Sequence, residues 1–362
     1  MKQLPLHNQH QSLGAKFGEF AGFAMPLYYT KPIEEHHKVR RQAGVFDITH
    51  MGQFMAEGDK AEQFLQYALT NDVAAVTDGG ALYSPICRQD GGVLDDLIIY
   101  RYDATRYRII VNAGNLERDF QWLTELAGPF GVALEDISPR QCLFAVQGPQ
   151  AFARLRDQLE TPPQALGYYR FTETRGFGVP VFLARTGYTG EPGCELAVAR
   201  EDAPHVWERL TASLGIAPIG LAARDTLRLE ACMALYGHEL REEWNPLECG
   251  LGWTVKFEGG DFVGKAALET VKQNGPAHRL VGLEVTGRGI SRSDYAVSDG
   301  TREIGIVTSG AMTPTTGKPL AMARIEAAHA RQGTELAVEI RGKLVQARVV
   351  PRPFYKNPDL RA

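Results

Sequence analysis

Two adjacent acids, Asp95 and Asp96, stand in the middle of an otherwise apolar run, Val93-Leu94-Asp95-Asp96-Leu97-Ile98-Ile99-Tyr100. The run follows a turn-forming sequence, Arg88-Gln89-Asp90-Gly91-Gly92, and its β-branched and large apolar residues read as a strand. Alternate strand residues share a face. Leu94, Asp96, Ile98 and Tyr100 therefore fall on one side, and Val93, Asp95, Leu97 and Ile99 on the other. Whichever side is buried carries a carboxylate into apolar surroundings, which is costly unless a partner is supplied. A carboxylate held that way is suited to taking up, holding or passing a proton. The competing reading is a strand that has barely left its turn, with both acids in water.

A second constellation is cationic. Residues 221–233 read as a helix on which Arg224 and Arg228, four apart, share a face beside the Ala223, Leu227, Ala231 stripe. An arginine at an apolar stripe calls for a carboxylate partner. Asp225, Glu230 or a carboxylate brought into a site all qualify. Upstream, Thr186-Gly187-Tyr188-Thr189-Gly190-Glu191-Pro192-Gly193 joins two strands. Its three glycines either let backbone approach a ligand closely or make an ordinary hairpin loop. His36, His37 and His50 are read as packing or capping residues. Neighbouring helical histidines point about 100° apart, not along one face as a zinc-binding i,i+4 pair does.

These groups need a scaffold. The chain has 362 residues, 44% of them hydrophobic, enough for two or three domains with sizeable cores. A net charge of −4 argues against a nucleic-acid platform. No apolar run reaches the ~18 residues of a membrane span. The amino terminus has neither a signal-peptide core nor a transit composition. The five cysteines are odd in number and scattered, without a CxxC pair. Free thiols in a reducing cytoplasm are the simplest reading, and no metal is expected. There is no GxxxxGK[ST] loop, no GxGxxG opening a helix and no GxSxG elbow.

Along the chain, residues 1–30 read as an irregular, aromatic-rich arm, followed by a helix opening at Pro32 and a strand over 45–51. Residues 52–136 read as a compact α+β unit: a helix at 61–69, a hairpin of 81–87 with 93–101, a strand at 107–112 and a helix at 115–126. Buried strands follow at 142–148, 181–185 and 195–198, with helices at 150–159 and 204–214. After a helix at 266–271 and a linker at 272–278, short strands at 280–285, 302–308, 335–340 and 344–349 suggest a small all-β barrel or sandwich.

Several stretches in this order resemble one family. They are Ala21-Gly22-Phe23-Ala24-Met25-Pro26, Glu34-Glu35-His36-His37, Phe46-Asp47-Ile48-Thr49-His50-Met51-Gly52, Gly91-Gly92-Val93-Leu94-Asp95-Asp96, Arg185-Thr186-Gly187-Tyr188-Thr189-Gly190-Glu191, Ala223-Arg224-Asp225-Thr226-Leu227-Arg228, Leu235-Tyr236-Gly237 and Gly305-Ile306-Val307-Thr308-Ser309-Gly310. From about residue 4 to Lys356 the chain resembles the aminomethyltransferase, or T-protein, family of the glycine cleavage system. The resemblance implies an α+β, three-domain, cloverleaf-like folate-binding fold with a C-terminal all-β barrel. Domain one is split between 1–51 and 137–277, domain two is 52–136, and domain three is 278–362.

The implied reaction passes the methylene of an aminomethyl group, carried on the lipoyl arm of the H-protein, to tetrahydrofolate. It yields 5,10-methylenetetrahydrofolate, ammonia and the dihydrolipoyl carrier. Tetrahydrofolate is then the co-substrate, lipoylated H-protein the partner, and neither nucleic acid nor membrane is involved. By the same resemblance Asp96 is the catalytic carboxylate. Glu195 accepts the amino and ring N–H groups of the pterin, Arg224 takes a carboxylate of the folate glutamate, and Tyr83, Asn112, Tyr188 and Tyr236 line the channel. Phe354 or Tyr355 closes the pocket from the third domain. Pro192 and Cys194, beside Glu195, depart from the family's usual residues. Two other functions fit the same fold: a folate-dependent demethylase of a small metabolite, and a folate-binding assembly factor. The Lys-Gly-Cys motif of the latter is missing from His238-Glu239-Leu240-Arg241.

Overall fold

The computed structural model describes residues 1–361, and among these the strands form four sheets. The largest has six strands in the order Phe171–Gly176, Val179–Ala184, Gly193–Ala199, Gln141–Gln147, Gly44–Asp47, Ala217–Pro218. Its strand Gln141–Gln147 is apolar from Cys142 to Val146 because both faces are covered there. Cys142, Phe144 and Val146 enter a core with Trp207 and Leu210, while Leu143 and Ala145 enter a second core on the opposite face. Each fully buried Phe or Leu contributes on the order of 2 kcal/mol.

The second core is where a five-stranded sheet stacks on the first. That sheet runs Gly80–Cys87, Val93–Asp103, Arg106–Val111, Gly52–Glu57, Ala133–Asp136 and is built wholly from residues between 52 and 136. Tyr100 and Ile110 meet Phe46, Phe182 and Ala197 of the first sheet. On its outer face, helices Ala61–Ala68 and Leu116–Ala127 bury Phe64, Leu65 and Leu123 against Phe54, Ile99 and Ile109.

Residues 278–350 form a closed six-stranded barrel in which strand His278–Val285 pairs with both Lys318–Glu326 and Lys343–Val350. Leu283, Val297, Val307, Ala323 and Val338 fill it. Helix Leu221–Glu230 lies between the barrel and helix Pro32–Arg41.

Several elements differ from the sequence reading. The first 30 residues are not irregular: helix His7–Ser12 is followed by a hairpin of Lys16–Phe20 with Phe23–Tyr28. Its two-residue turn places Ala21 at φ 50° and Gly22 at φ 80°. That is the geometry of a turn usually written Asn-Gly, so Ala-Gly gave a weak signal. Helix Ala151–Leu155 is shorter than 150–159, and Ala203–Glu208 continues into a π-helical turn, Arg209–Ser213. The arginine helix stops at Glu230, and Cys232 beyond it takes φ 53°. Lys272 to Asn274 extend helix Lys265–Asn274, so the linker starts only at Gly275. The barrel also contains strands Ala296–Ser298 and Lys318–Glu326. The second reads Lys-Pro-Leu-Ala-Met-Ala-Arg-Ile-Glu, whose Ala and Met favour helix intrinsically, and barrel pairing overrides that preference.

Candidate active site

Strand Val93–Asp103 delivers its two acids to opposite sides, with one adjustment. Ile86 pairs with Asp95 but Cys87 pairs with Val93, so Leu94 is an extra residue, a β-bulge. Leu94 joins Leu97 and Ile99 in the outer core instead of sharing the face of Asp96. Beyond the bulge Asp96, Ile98 and Tyr100 line a cavity, to which Leu97 also contributes, and Asp95 points away and is fully buried. The preceding turn is closed by the Arg88 N–H donating to Gly92 O at 2.9 Å. A Cβ on Gly92 would lie 2.2 Å from Glu242 O, so no larger residue fits at this turn.

The cavity has a volume of about 1,090 Å³ and draws on all three regions of the chain. Seven of the side chains named from the sequence, Tyr83, Asp96, Asn112, Tyr188, Glu195, Arg224 and Tyr236, line it. The Tyr83 hydroxyl donates to Asp96 Oδ2 at 2.8 Å, and Asn112 Nδ2 donates to Asp96 Oδ1 at 2.9 Å. Asn112 also donates to Asp95 through its backbone N–H, at 3.1 Å, and its side-chain amide, at 2.9 Å. Burial and the neighbouring Asp95 charge push the Asp96 carboxyl up to about 7, even though the Tyr83 and Asn112 hydrogen bonds favour its ionised form. Asp96 is thus poised to exist in both protonation states near neutrality.

Glu195 sits on strand Gly193–Ala199 and accepts at Oε2 from the hydroxyls of Thr186, at 2.5 Å, and Tyr100, at 3.4 Å. Burial raises its pKa, and the Thr186 hydrogen bond and the Arg224 charge oppose that rise. Arg224 stacks on the Tyr188 ring, 4.6 Å from its centroid. Its Nη1 is buried without a hydrogen-bond partner among the described residues.

Arg228, one helical turn on, differs. It donates to Asp225 at 2.7 and 2.9 Å, to Glu239 at 2.7 Å and to Ser309 of the barrel at 2.7 Å. Glu230 in turn pairs with Arg40 at 2.9 Å. Of the two arginines on that face, Arg228 joins domains, whereas Arg224 has a donor to spare inside a cavity. That is the arrangement of an anion site.

The glycine loop is shaped by a buried side chain that the sequence reading missed. Gln147 donates to Thr186 O at 3.1 Å and accepts from Thr189 Oγ1 at 2.9 Å. A Cβ on Gly187 would fall 2.1 Å from Gln147 Oε1. Nothing in the strand sequence distinguishes Gln147 from a residue at an ordinary strand end. Trp253, 59% exposed, was also missed; it stacks on Tyr83 with ring centroids 6.0 Å apart.

His50 is buried against Phe20 and Phe23 and lines the cavity. Burial and the Arg224 charge push its pKa down to about 3, so it is neutral. His36 is hydrogen-bonded through both ring nitrogens, to Thr226 and Thr315, each at 2.8 Å. Neither Phe354 nor Tyr355 lines the cavity. Tyr355 stacks on Arg40 with the guanidinium carbon 3.9 Å from the ring centroid, and Phe354 packs beside Leu229 and Leu280. The C-terminal side chains that reach the cavity are Arg352 and Arg361.

Comparison with known proteins agrees with this layout. The GCVT N-terminal domain model matches residues 6–259, and the model of the glycine cleavage T-protein C-terminal barrel domain matches residues 278–356. The chain is 44% identical over 361 residues to an aminomethyltransferase of Moorella thermoacetica, covering 99% of both chains. It is 46% identical to that of Saccharopolyspora erythraea, covering 98% of both. The crystal structure of glycine cleavage system aminomethyltransferase T from Bartonella henselae superimposes with a TM-score of 0.93 at 38% identity, over 98% of each chain. By sequence over nearly its whole length, and by fold, the chain belongs to the aminomethyltransferase family of the glycine cleavage system.

Proposed function

We propose that the cavity binds tetrahydrofolate and receives the aminomethylated lipoyl arm of an H-protein, and that the enzyme transfers the methylene carbon between them. The observation that carries this reading is one cavity holding three complementary groups. They are a carboxyl poised near neutrality (Asp96), a buried acceptor (Glu195) and a cation with a spare donor (Arg224), set between tyrosine rings. A reduced folate has matching parts. Its flat pterin suits aromatic walls, its amino and ring N–H groups suit a carboxylate, and its glutamate suits a guanidinium. The volume of about 1,090 Å³ exceeds the ~300–1,000 Å³ of a typical single-ligand pocket, which leaves room for the end of a prosthetic arm.

In the reaction the carbon–sulfur bond breaks as the carbon passes to N5 of the pterin. N10 then displaces ammonia and closes the methylene bridge. The two folate N–H protons end on the lipoyl sulfur and on the departing amine. Asp96 in its ionised form stabilises the cationic carbon and nitrogen and takes up the N5 proton. Tyr83 and Asn112 hold that carboxylate in place. Glu195 and Arg224 bind the two ends of the folate, and Tyr188 and Tyr236 flank it. Exposed Arg352 and Arg361 give the cavity a basic edge suited to an acidic carrier.

We place the enzyme in the cytoplasm. Its five cysteines are free, four of them buried, and no helix among the described residues is long and apolar enough to cross a membrane. The test is ammonia release from aminomethylated, lipoylated H-protein with and without tetrahydrofolate. Folate-dependent release supports the reading. Folate binding without release contradicts it and favours a demethylase or an assembly factor.

A further inference from the structure

Asp119, on the first turns of helix Leu116–Ala127, is a fully buried acid outside the cavity, and the roles above do not use it. Its carboxyl lies against that of Asp95. The groups facing it are Asp95 and Asp96 from strand Val93–Asp103 and Arg118 from its own helix. Arg118 offers no hydrogen bond, since its Nε stays 3.9 Å from Asp119 Oδ1. The Arg118 guanidinium is committed elsewhere: to Leu94 O, to the Tyr236 hydroxyl at 3.1 Å and to Glu242 at 3.3 Å.

The two facing carboxyls are supplied very unequally. Asp95 accepts from the Asn112 N–H at 3.1 Å, from Asn112 Nδ2 at 2.9 Å and from Asn115 Nδ2 at 2.7 Å. Both oxygens of Asp119 lack any protein donor among the described residues. Two buried carboxylates in contact cannot both stay ionised, and a proton between them forms a hydrogen bond. Asp95 has three donors aimed at it and Asp119 has none, so the proton belongs on Asp119, which donates to Asp95. Burial, reinforced by the Asp95 and Asp96 charges, raises the Asp119 pKa to about 11. Asp95 in turn anchors Asn112, whose amide holds Asp96 Oδ1 at 2.9 Å.

We infer that Asp119 is a positioning residue of the transfer reaction, a neutral acid that donates to Asp95 and thereby fixes the Asp95–Asn112–Asp96 array from behind the cavity. The inference rests on Asp96 being the acting carboxylate. Its proton, however, can be observed without any turnover.

Two measurements decide it. The first is the infrared carbonyl band of protonated carboxyls in the intact protein at about pH 9, where only ~1% of a group titrating near 7 remains protonated. The expected result is one band that persists at that pH and disappears in Asp119→Asn. A spectrum without the band, or a band that survives the substitution, overturns the inference even if Asp96 acts as proposed.

The second is the pH–rate profile of two variants. Asp119→Asn keeps a donor toward Asp95 and carries no charge. It should keep kcat within about 3-fold and leave the acid limb in place. Asp119→Leu has no donor and should lower kcat by roughly 10-fold or more and displace the limb, with KM for tetrahydrofolate within about 3-fold. A limb moved down by about one pH unit in Asp119→Asn means a negative charge was removed, and overturns the inference. Equal losses in both variants also overturn it, because the donor then makes no difference. If Asp119→Leu does not fold, the infrared band and the Asn variant still give the answer.

Discussion

Removing the Tyr83 hydroxyl while keeping its ring isolates one force on Asp96. The hydroxyl donates to Asp96 Oδ2 at 2.8 Å and stabilises the ionised form. A hydrogen bond to a charged acceptor contributes about 1.5–3 kcal/mol. Asn112 still holds the other oxygen, so we take the lower end, which corresponds to about one pKa unit. Tyr83→Phe should therefore raise the Asp96 midpoint from about 7 to roughly 8. Transfer that requires the ionised carboxylate then has about one tenth of the enzyme active at pH 7, in place of about one half. At that pH kcat should fall about 5-fold and recover by roughly pH 9. The phenyl ring keeps the stack on Trp253, so KM for tetrahydrofolate should stay within about 2-fold. The assay is the pH–rate profile of ammonia release at saturating folate and carrier. An acid limb that stays in place, or moves down, refutes the reasoning.

Three further outcomes are expected. Glu195→Ala and Arg224→Ala should each weaken tetrahydrofolate binding by about 10- to 100-fold in calorimetry, since each removes a charge-assisted contact; unchanged dissociation constants would remove them from the folate site. Arg228→Ala leaves the fully buried Glu239 without its counter-charge and should lower unfolding stability in urea by about 3–5 kcal/mol; a loss below ~1 kcal/mol contradicts that structural role. Burial acts to raise the Glu230 pKa, but hydrogen bonds from His36 and Thr315 outweigh it and hold the group at about 2, below its ordinary 4.5. Its contribution, on the order of 3 kcal/mol, is present above about pH 4.5 and lost as pH falls towards about 2. Glu230→Gln should flatten acid unfolding over that window, and an unaltered acid transition would count against the assignment.

Periodicity made much of this architecture legible. Residues 142–146 alternate between two cores as a doubly covered strand must, and Asp96 shares its face with Ile98 and Tyr100 as the alternation required. The bulge at Leu94 was not legible, because an unpaired residue leaves no trace in composition. Arg224 and Arg228 share a helix face in the sequence pattern, and contacts from segments outside the helix separate them. Ser309 and Glu239 reach Arg228, whereas the spare donor of Arg224 is left in the cavity. Asp119 looks like any acid in a first helical turn, since the partner that changes its chemistry, Asp95, lies on another element. The N-terminal hairpin was hidden by an Ala-Gly turn, and strand Lys318–Glu326 by helix-favouring residues.

We propose that Asp96 carries the chemistry and does not merely bind folate. Asp96→Asn tests it when ammonia release from aminomethylated H-protein and tetrahydrofolate binding are measured on the same preparation. Turnover, kcat, is expected to fall by roughly 100-fold or more while the folate dissociation constant stays within about 3-fold. Wild-type release, or a loss traced entirely to weaker folate binding, would contradict it.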